Sequence, residues 1–321
     1  MDWLNAAAAL AARARPLSRP NPAVGAIVVK AGRVIGRGWT QAGGRPHAEA
    51  VALDMAGDAA RGATLYVTLE PCAHASPRGP ACADLAASAG LARVVVAVED
   101  PDPRTAGTGL ERISAAGIAT ALIPCPNADA SLAGYLSQTR QGRPHITLKL
   151  ALSLDGAIAL ASGESQWITG PEARAHAHLE RARADAILVG GGTLRTDAPR
   201  LDVRLAGLEA RSPQRWVLTR GVAPDGWRAL ASPGDLSAMD DVQYLLVEGG
   251  AQTAAAFLHA DQIDRLLIYR APIVIGGGLP GVTDLGLTDL SAAHGRWHHS
   301  DSRRLGNDRL EVYERTLCSP A

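Results

Sequence analysis

What the chain lacks narrows its chemistry. Its 321 residues hold 32 Lys+Arg against 32 Asp+Glu, so no net charge favours a polyanion, which counts against a tRNA or DNA substrate. Four cysteines suit a reducing compartment better than a disulfide framework. No stretch approaches the length of a membrane span, and the alanine-rich segment at 6–12 lacks the basic lead and apolar length of a signal peptide. A packed first helix is expected there, in a soluble cytoplasmic protein without membrane or nucleic-acid partners. Neither glycine cluster that follows the apolar runs at 186–189 and 245–247 is a G-x-G-x-x-G, so the usual dinucleotide fingerprint is missing from both. What is present is an ordinary globular balance, 47% hydrophobic and 20% charged, in a chain longer than one comfortable core. Two domains are expected.

Residues 45–82 carry the densest chemistry. Pro46-His47-Ala48-Glu49 is followed by an apolar run at 63–69, then by Glu70-Pro71-Cys72 and by Cys82. This order of H-x-E, P-C and a second cysteine marks zinc-dependent nucleobase deaminases, whose glutamate moves protons and does not bind the metal. One imidazole and two thiolates leave zinc an open position, as a catalytic site requires. Two thiolates also nearly cancel the metal charge, so a water there needs a carboxylate, Glu49, to move its protons. Residues two apart on a helix point about 200° apart, so His47 and Glu49 can face one metal only if His47 sits at the helix entrance. Pro46 places it there. Cys82 likewise precedes a helix at 83–87, and two helix N-termini would stabilise the thiolates. A purely structural zinc knot would want four protein ligands, and Cys125 and Cys318 stand in no paired spacing with the others.

Strand-like runs alternate with helical stretches along the whole chain. A helix at 3–15 leads into Arg19-Pro20-Asn21-Pro22, a turn that fixes the Asn21 side chain at the entrance of a strand at 26–29. That pose suits a ligand contact, and equally an ordinary turn. Gly32 and the glycines at 36 and 38 indicate a hairpin returning toward His47. Strands at 93–98 and 118–123 flank a helix at 109–116, giving the first half the pattern of a three-layer α/β sandwich. Gln141-Gly142-Arg143-Pro144 breaks the next helix, so the domains are read as 1–142 and 143–321. The second half opens with a strand at 145–152 containing Lys149, and then an Asp155-Gly156 turn. A helix at about 171–184, capped by Thr169 or Pro171, follows Trp167. Strands at 186–189 and 245–247 run into Gly190-Gly191-Gly192-Thr193 and Glu248-Gly249-Gly250, the latter ahead of a helix at 253–259. Such turns either bring backbone amides to a phosphate or merely turn, and Arg181 and Arg204 nearby favour the phosphate. Taken singly, Trp167 reads as core and Lys149 as a surface residue.

Read together, PNPAVG, HAEAVAL, YVTLEPCAH, RVVVAVEDPDP, AGTG, TLKLALSLDG, SGESQWITG, AILVGGGT and LLVEGG resemble the bifunctional deaminase/reductase family of riboflavin biosynthesis, from Asn5 to about Glu314. The deaminase signature is shared with cytidine, guanine and tRNA-adenosine deaminases, whereas TLKLALSLDG with SGESQWITG is far more specific. The resemblance implies a cytidine-deaminase-like first domain and a dihydrofolate-reductase-like second one, α/β throughout. It implies zinc on His47, Cys72 and Cys82, proton transfer by Glu49, and a pyrimidine held by Asn21, His74 and Arg78. It further implies NADPH held by Trp167, Thr193, Asp197, Thr219, Gly250, Ala251, Gln252 and Thr253, with Lys149 and Leu152 lining the same cleft. Ser165, Arg181, Leu201, Arg204 and Glu248 match positions for the phosphoribosyl-pyrimidine substrate, the arginines suiting its phosphate. The implied chemistry is hydrolytic loss of a ring amino group as ammonia, then hydride transfer from NADPH to C1′ of the ring-opened sugar, in a homo-oligomer.

Several positions depart from the family pattern. The Cys72–Cys82 spacing is one residue longer than usual, Thr40 stands where a histidine is common, and Thr108 where Lys or Arg is common. Thr219-Arg220 replaces a usual Asp-Ser pair, which leaves Arg220 to meet a 2′-phosphate or to face solvent, and the stretch at 221–241 is short. The alternative reading is a deaminase of another nucleobase or of tRNA, with a non-catalytic C-terminal ligand-binding module. The balanced charge counts against tRNA.

Overall fold

A computed structural model describes residues 2–74 and 76–316; Cys318 lies outside the described residues. The chain divides into two compact units, Met1–Gly142 and Arg143–Ala321. Among the described residues no helix is long and apolar enough to cross a membrane.

The first unit runs α1 (Trp3–Ala11), β1 (Gly25–Lys30), β2 (Arg33–Trp39), α2 (Ala48–Ala56), β3 (Thr64–Leu69), α3 (Cys82–Ser88), β4 (Arg93–Val98), α4 (Thr108–Ala115), β5 (Ala119–Leu122) and α5 (Pro126–Gln141). Its sheet has the order β2-β1-β3-β4-β5. β1 is antiparallel to both neighbours, while β3, β4 and β5 are parallel. Helices α1 and α5 cover one face and α2, α3 and α4 the other, so the central strands are buried on both sides. Two glycines set the height of α2. A Cβ on Gly36 would fall 2.1 Å from the Ala52 carbonyl, and one on Gly38 2.2 Å from that of Ala48. With hydrogen instead, α2 lies directly on β2. Helix α1 ends at Ala11, short of the expected residue 15. The Arg13 and Ala14 amides bond back to Leu10 and Ala11 in tight i→i−3 turns ahead of Pro16, whose ring disfavours helical backbone just before it.

The second unit runs β6 (His145–Leu152), β7 (Ala157–Ala159), α6 (Pro171–Arg181), β8 (Ala186–Gly190), α7 (Gly191–Asp197), β9 (Gln214–Leu218), β10 (Arg228–Leu230), β11 (Tyr244–Val247), α8 (Ala251–His259), β12 (Arg265–Arg270), β13 (Leu279–Pro280), β14 (Trp297–Leu305) and β15 (Asp308–Arg315). The main sheet has the order β10-β9-β8-β11-β6-β12-β15-β14, parallel as far as β12 and antiparallel beyond it. Alternation along β12 serves both faces. Leu267 and Tyr269 pack with Ala173 and Ala177 of α6, and Ile268 joins the core with Ala254 and Phe257 of α8. The N-cap of α6 is Gly170, not Thr169; its amide donates to the buried Asp308 carboxylate at 2.6 Å, a partner far away in sequence. The parallel strands β6, β8 and β11 end at one edge, the crevice side of an open α/β sheet.

Candidate active sites

In the first unit the chemistry sits at the carboxyl ends of β3 and β4. His47 is the N-cap of α2 with extended backbone (φ −72, ψ 164), and Glu49 lies in the first turn behind it. The imidazole therefore leaves the helix in a direction that an interior residue could not take. Cys72 follows β3, and Cys82 opens α3. His47 Nδ1 lies 3.6 Å from Cys72 Sγ and 3.3 Å from Cys82 Sγ. These ligand atoms lie within 4.8 Å of one another, and no other group of described His, Cys, Asp and Glu residues converges in this way.

The electrostatics suit a cation at that point. The hydrogen bond from Cys82, which outweighs burial, holds the Cys72 thiol down at about 4; the same bond, with burial, pushes Cys82 well up. The protein alone thus stabilises one thiolate, and the second needs a metal. Glu49, 3% exposed, is pushed up by burial to about 7 despite the nearby imidazole. A nitrogen and two sulfurs with no fourth converging side chain fit a zinc ion with one open position.

Above these residues lies a cavity of about 150 Å³, with Asn21, His74, Asp100, Asp102, Arg104 and Tyr135 among its polar walls and Pro20, Pro22, Val24 and Leu69 on its apolar side. Asn21 Nδ2 donates to the Gly44 carbonyl at 3.1 Å and lies 2.9 Å from His47 Nε2. His74 Nδ1 is 3.4 Å from the Thr105 hydroxyl. The Thr40 hydroxyl accepts from the Val24 amide at 3.0 Å and donates to the Pro22 carbonyl at 2.9 Å. It braces the strand entrance that carries Asn21. Arg78 lies outside this cavity: it donates to the Gly43 carbonyl at 2.6 Å and lines an adjoining cleft with Arg45. Thr108 starts α4 and lines neither space.

Two further groups escape a reading of the sequence. The buried Glu70 carboxylate accepts backbone amides of Asp100 (3.3 Å), Gly107 (3.0 Å) and Leu110 (3.0 Å), tying the loop after β4 and the start of α4 to the strand that delivers Cys72. Its place beside Pro71-Cys72 was the available signal. Tyr135 of α5 donates to Asp100 Oδ1 at 2.7 Å, and burial keeps that carboxyl above its ordinary value.

In the second unit two adjoining clefts share Ile158, Thr193 and Gly250. The first, about 400 Å³, is lined by Lys149, Ser165, Trp167, Arg174, His178, Arg181, Asp197, Arg204 and Glu248 among others. The second, about 570 Å³, takes residues 190–193 and 250–253 with Thr219 and Leu279, so Ala251, Gln252 and Thr253 stand here. A Cβ on Gly190 would lie 2.2 Å from Thr253 Oγ1, and one on Gly249 2.4 Å from Thr253 Cβ. Those glycines admit the Thr253 side chain between two strand ends, while Gly191, Gly192 and Gly250 face the cleft.

Glu248 is the electrostatic centre of the first cleft. Arg181 Nε and Nη2 donate to its two oxygens at 2.7 and 2.9 Å, and Lys149 Nζ stands 3.6 Å from Oε2. Burial alone would push the carboxyl up; Lys149 and Arg181 outweigh it and hold the group at about 2. Burial, with Arg181 and Arg204 nearby, keeps His178 below its ordinary value, and its Nδ1 lies 3.3 Å from the Arg204 amide. Trp167 is not core: it is 65% exposed, with the Arg174 guanidinium 4.8 Å over its ring. Leu152 is buried and lines neither cleft. Leu201 turns at φ +54 and packs into a small core with Ile187, Val189 and Leu246, also away from both. Arg220 is exposed and lines neither.

A His/Cys/Cys set beside a buried glutamate in a three-layer α/β unit defines a zinc deaminase site, and the second unit carries two adjoining clefts at its strand ends. Residues 1–98 match the cytidine and deoxycytidylate deaminase zinc-binding region, and residues 144–226 and 234–310 match the RibD C-terminal domain. The chain is 38% identical over 349 residues to the riboflavin biosynthesis protein RibD of Escherichia coli, covering 93% of this chain and 95% of that one. It is 40% identical over 308 residues to RibD of Mycobacterium tuberculosis, covering 91% and 90%. Among solved structures, Acinetobacter baumannii RibD superposes with a TM-score of 0.84 at 33% identity over 98% of both chains. A Thermotoga maritima diaminohydroxyphosphoribosylaminopyrimidine deaminase/5-amino-6-(5-phosphoribosylamino)uracil reductase gives 0.86 at 30% identity, over 98% of this chain and 97% of that one. The chain belongs to the RibD family of bifunctional riboflavin-biosynthesis enzymes.

Proposed function

We propose that the chain deaminates 2,5-diamino-6-(5-phosphoribosylamino)pyrimidin-4-one and then reduces the ribosyl chain to give 5-amino-6-(5-phosphoribitylamino)uracil, in two separate sites. The observation that carries the first step is the convergence of His47 Nδ1, Cys72 Sγ and Cys82 Sγ beside the buried Glu49. Zinc held by His47, Cys72 and Cys82 would supply an acidified water as nucleophile. Glu49, buried in the first turn behind His47, would take a proton from that water and return it to the departing amino group. Asn21, braced through Gly44, and His74 orient the pyrimidine, and the apolar side formed by Pro20, Pro22, Val24 and Leu69 excludes water.

For the second step NADPH supplies the hydride. Thr193, Thr219 and residues 250–253 form the groove for it, with Asp197 and Trp167 in the neighbouring cleft. Ser165, Arg181, Arg204 and Glu248 line the space for the sugar and pyrimidine. Glu248 fixes Lys149 and Arg181 in one geometry before any ligand arrives, which limits the ordering left to binding. The match of residues 144–226 and 234–310 to a reductase domain favours this reading over a non-catalytic binding module. Cytoplasmic location, homo-oligomeric assembly and absence of a nucleic-acid substrate belong to the same proposal. Supporting the last, the balanced totals of 32 Lys+Arg and 32 Asp+Glu offer a polyanion no net attraction.

The test is one incubation of the purified chain with the diaminopyrimidine substrate, zinc and NADPH, following ammonia and NADPH absorbance together. Ammonia should appear first and NADPH oxidation should depend on it. NADPH oxidation by the diaminopyrimidine without ammonia release, or ammonia alone, would break the two-step scheme.

A further inference from the structure

The loop between β4 and α4 carries a buried hydroxyl to which the deaminase chemistry gives no role. Thr105 is fully buried. Its backbone is held on both sides: the amide donates to the Asp102 carbonyl at 2.8 Å, and the carbonyl accepts from the Thr108 amide at 2.7 Å. The Glu70 carboxylate accepts the Gly107 amide at 3.0 Å and pins the same loop. Among the described residues the Thr105 hydroxyl meets one polar partner, His74 Nδ1 at 3.4 Å. A hydroxyl can donate or accept, but a buried O–H without an acceptor costs more than an oxygen lone pair left unused. The Thr105 hydrogen therefore goes to Nδ1. A neutral imidazole that accepts at Nδ1 carries its own proton on Nε2.

That Nε2–H has no partner among the described residues, so it is the donor His74 offers to the cavity it lines. Other donors on this wall are committed. Asn21 Nδ2 faces Gly44 and His47, the Thr40 hydroxyl donates to Pro22, and the Tyr135 hydroxyl donates to Asp100. Arg104 is 67% exposed and chelated by Asp102. Asp100 and Asp102 supply acceptors, which suit amino groups and leave a ring carbonyl to His74.

We propose that Thr105 is a positioning residue: it fixes the Nε2–H tautomer of His74 and so selects a pyrimidine bearing a carbonyl oxygen over one bearing an amino group in the same place. This rests on the deaminase reading above, in which His74 faces the ring.

The experiment uses the zinc-loaded full chain and its Thr105→Val and Thr105→Ser variants. Ammonia release is followed with the diaminopyrimidinone substrate, and an analogue with an amino group in place of the C4 carbonyl is tested as its competitive inhibitor. Valine keeps the shape and loses the hydroxyl. KM for the substrate should rise by about 3- to 10-fold with kcat little changed, while Ki for the analogue stays level or falls. Serine should restore the wild-type KM. Nitrogen-15 NMR of histidine-labelled chain needs no turnover; with His74 assigned by its loss in His74→Asn, it should show the proton on Nε2 in the wild type and a measurable share on Nδ1 in Thr105→Val. Serine as impaired as valine would reduce Thr105 to the packing of its methyl group, and equal losses for substrate and analogue would make it only a prop for the loop. Either result overturns the proposal, as does a proton on Nδ1 of His74 in the wild type. If the wild type releases no ammonia, the deaminase reading fails, and the nitrogen spectra still decide the Thr105–His74 bond.

Discussion

Replacing Glu248 by glutamine tests whether the charge cluster of the reductase cleft is part of the fold or an ornament on it. The side chain is 7% exposed, and its carboxyl is held at about 2 against an ordinary 4.5. That gap is worth about 3 kcal/mol at roughly 1.4 kcal/mol per pKa unit, the same size as losses seen when one partner of a buried ion pair is removed. Glutamine keeps the shape but leaves Lys149 and Arg181 facing each other without a counter-charge. Unfolding of the zinc-loaded chain in urea, followed by circular dichroism, should lose about 3 kcal/mol at pH 7 in the transition of the second unit. The pH dependence fixes the cause. A depressed carboxyl contributes stability that is fully present above about pH 4.5 and is lost as pH falls toward 2. The gap between wild type and variant should therefore be flat from pH 8 to 6 and shrink below about 4.5. A variant as stable as wild type at pH 7, or a gap that stays constant down to pH 3, would show that water relieves the two cations and that the cluster carries no folding energy.

Glu49→Gln should keep its zinc by elemental analysis and lose ammonia release by about 10²- to 10⁴-fold, while NADPH oxidation with the deaminated substrate continues at the wild-type rate; equal loss of both activities would contradict separate sites. NADPH should raise the melting temperature more than NADH at equal concentration, by the larger effect expected of the tighter ligand, and the reverse order would undo the cofactor assignment. Glu70→Ala removes the acceptor of three backbone amides. It should cost about 3 kcal/mol and open the 100–107 loop to proteases, with zinc still bound; an unchanged digestion pattern would mean that the loop is held by other contacts.

Legibility in the sequence followed distance along the chain. The metal site was readable because its donors come in a fixed order on elements with local signals: Pro46 before a helix, an apolar strand before Pro71-Cys72, a helix after Cys82. Strands β1, β3, β4, β5, β6, β8 and β11 were readable from their apolar runs, whereas β12, β14 and β15 were not read at all, β14 being a mostly polar run (Trp297–Leu305). What stayed hidden depends on partners that local pattern does not contain. Arg181 meets Glu248 across 67 positions, Glu70 reaches amides 30 to 40 residues on, and Asp308 closes the start of α6 from the other end of the unit. Asp155 reads as a turn residue, yet its carboxylate also accepts the Ile275 and Gly276 amides. Thr40 and Arg78 show the same limit from the other side: each polar group is already occupied by backbone carbonyls that sequence could not assign to it.

Net charge hid the most. Balanced totals of 32 and 32 describe a chain with no preference for either sign, yet the two sites differ in sign. Around the deaminase cavity stand Glu49, Glu70, Asp100 and Asp102, and the one arginine on its wall, Arg104, is chelated by Asp102 at 2.5 Å. Around the first reductase cleft the cations outnumber the carboxylates. One substrate must satisfy both environments in turn: an amino-rich pyrimidine suits carboxylates, and its phosphate suits guanidinium groups. Segregating the charge by site lets each end of the same molecule be held where its own chemistry occurs. A uniformly basic protein would attract the phosphate to both centres without distinguishing them.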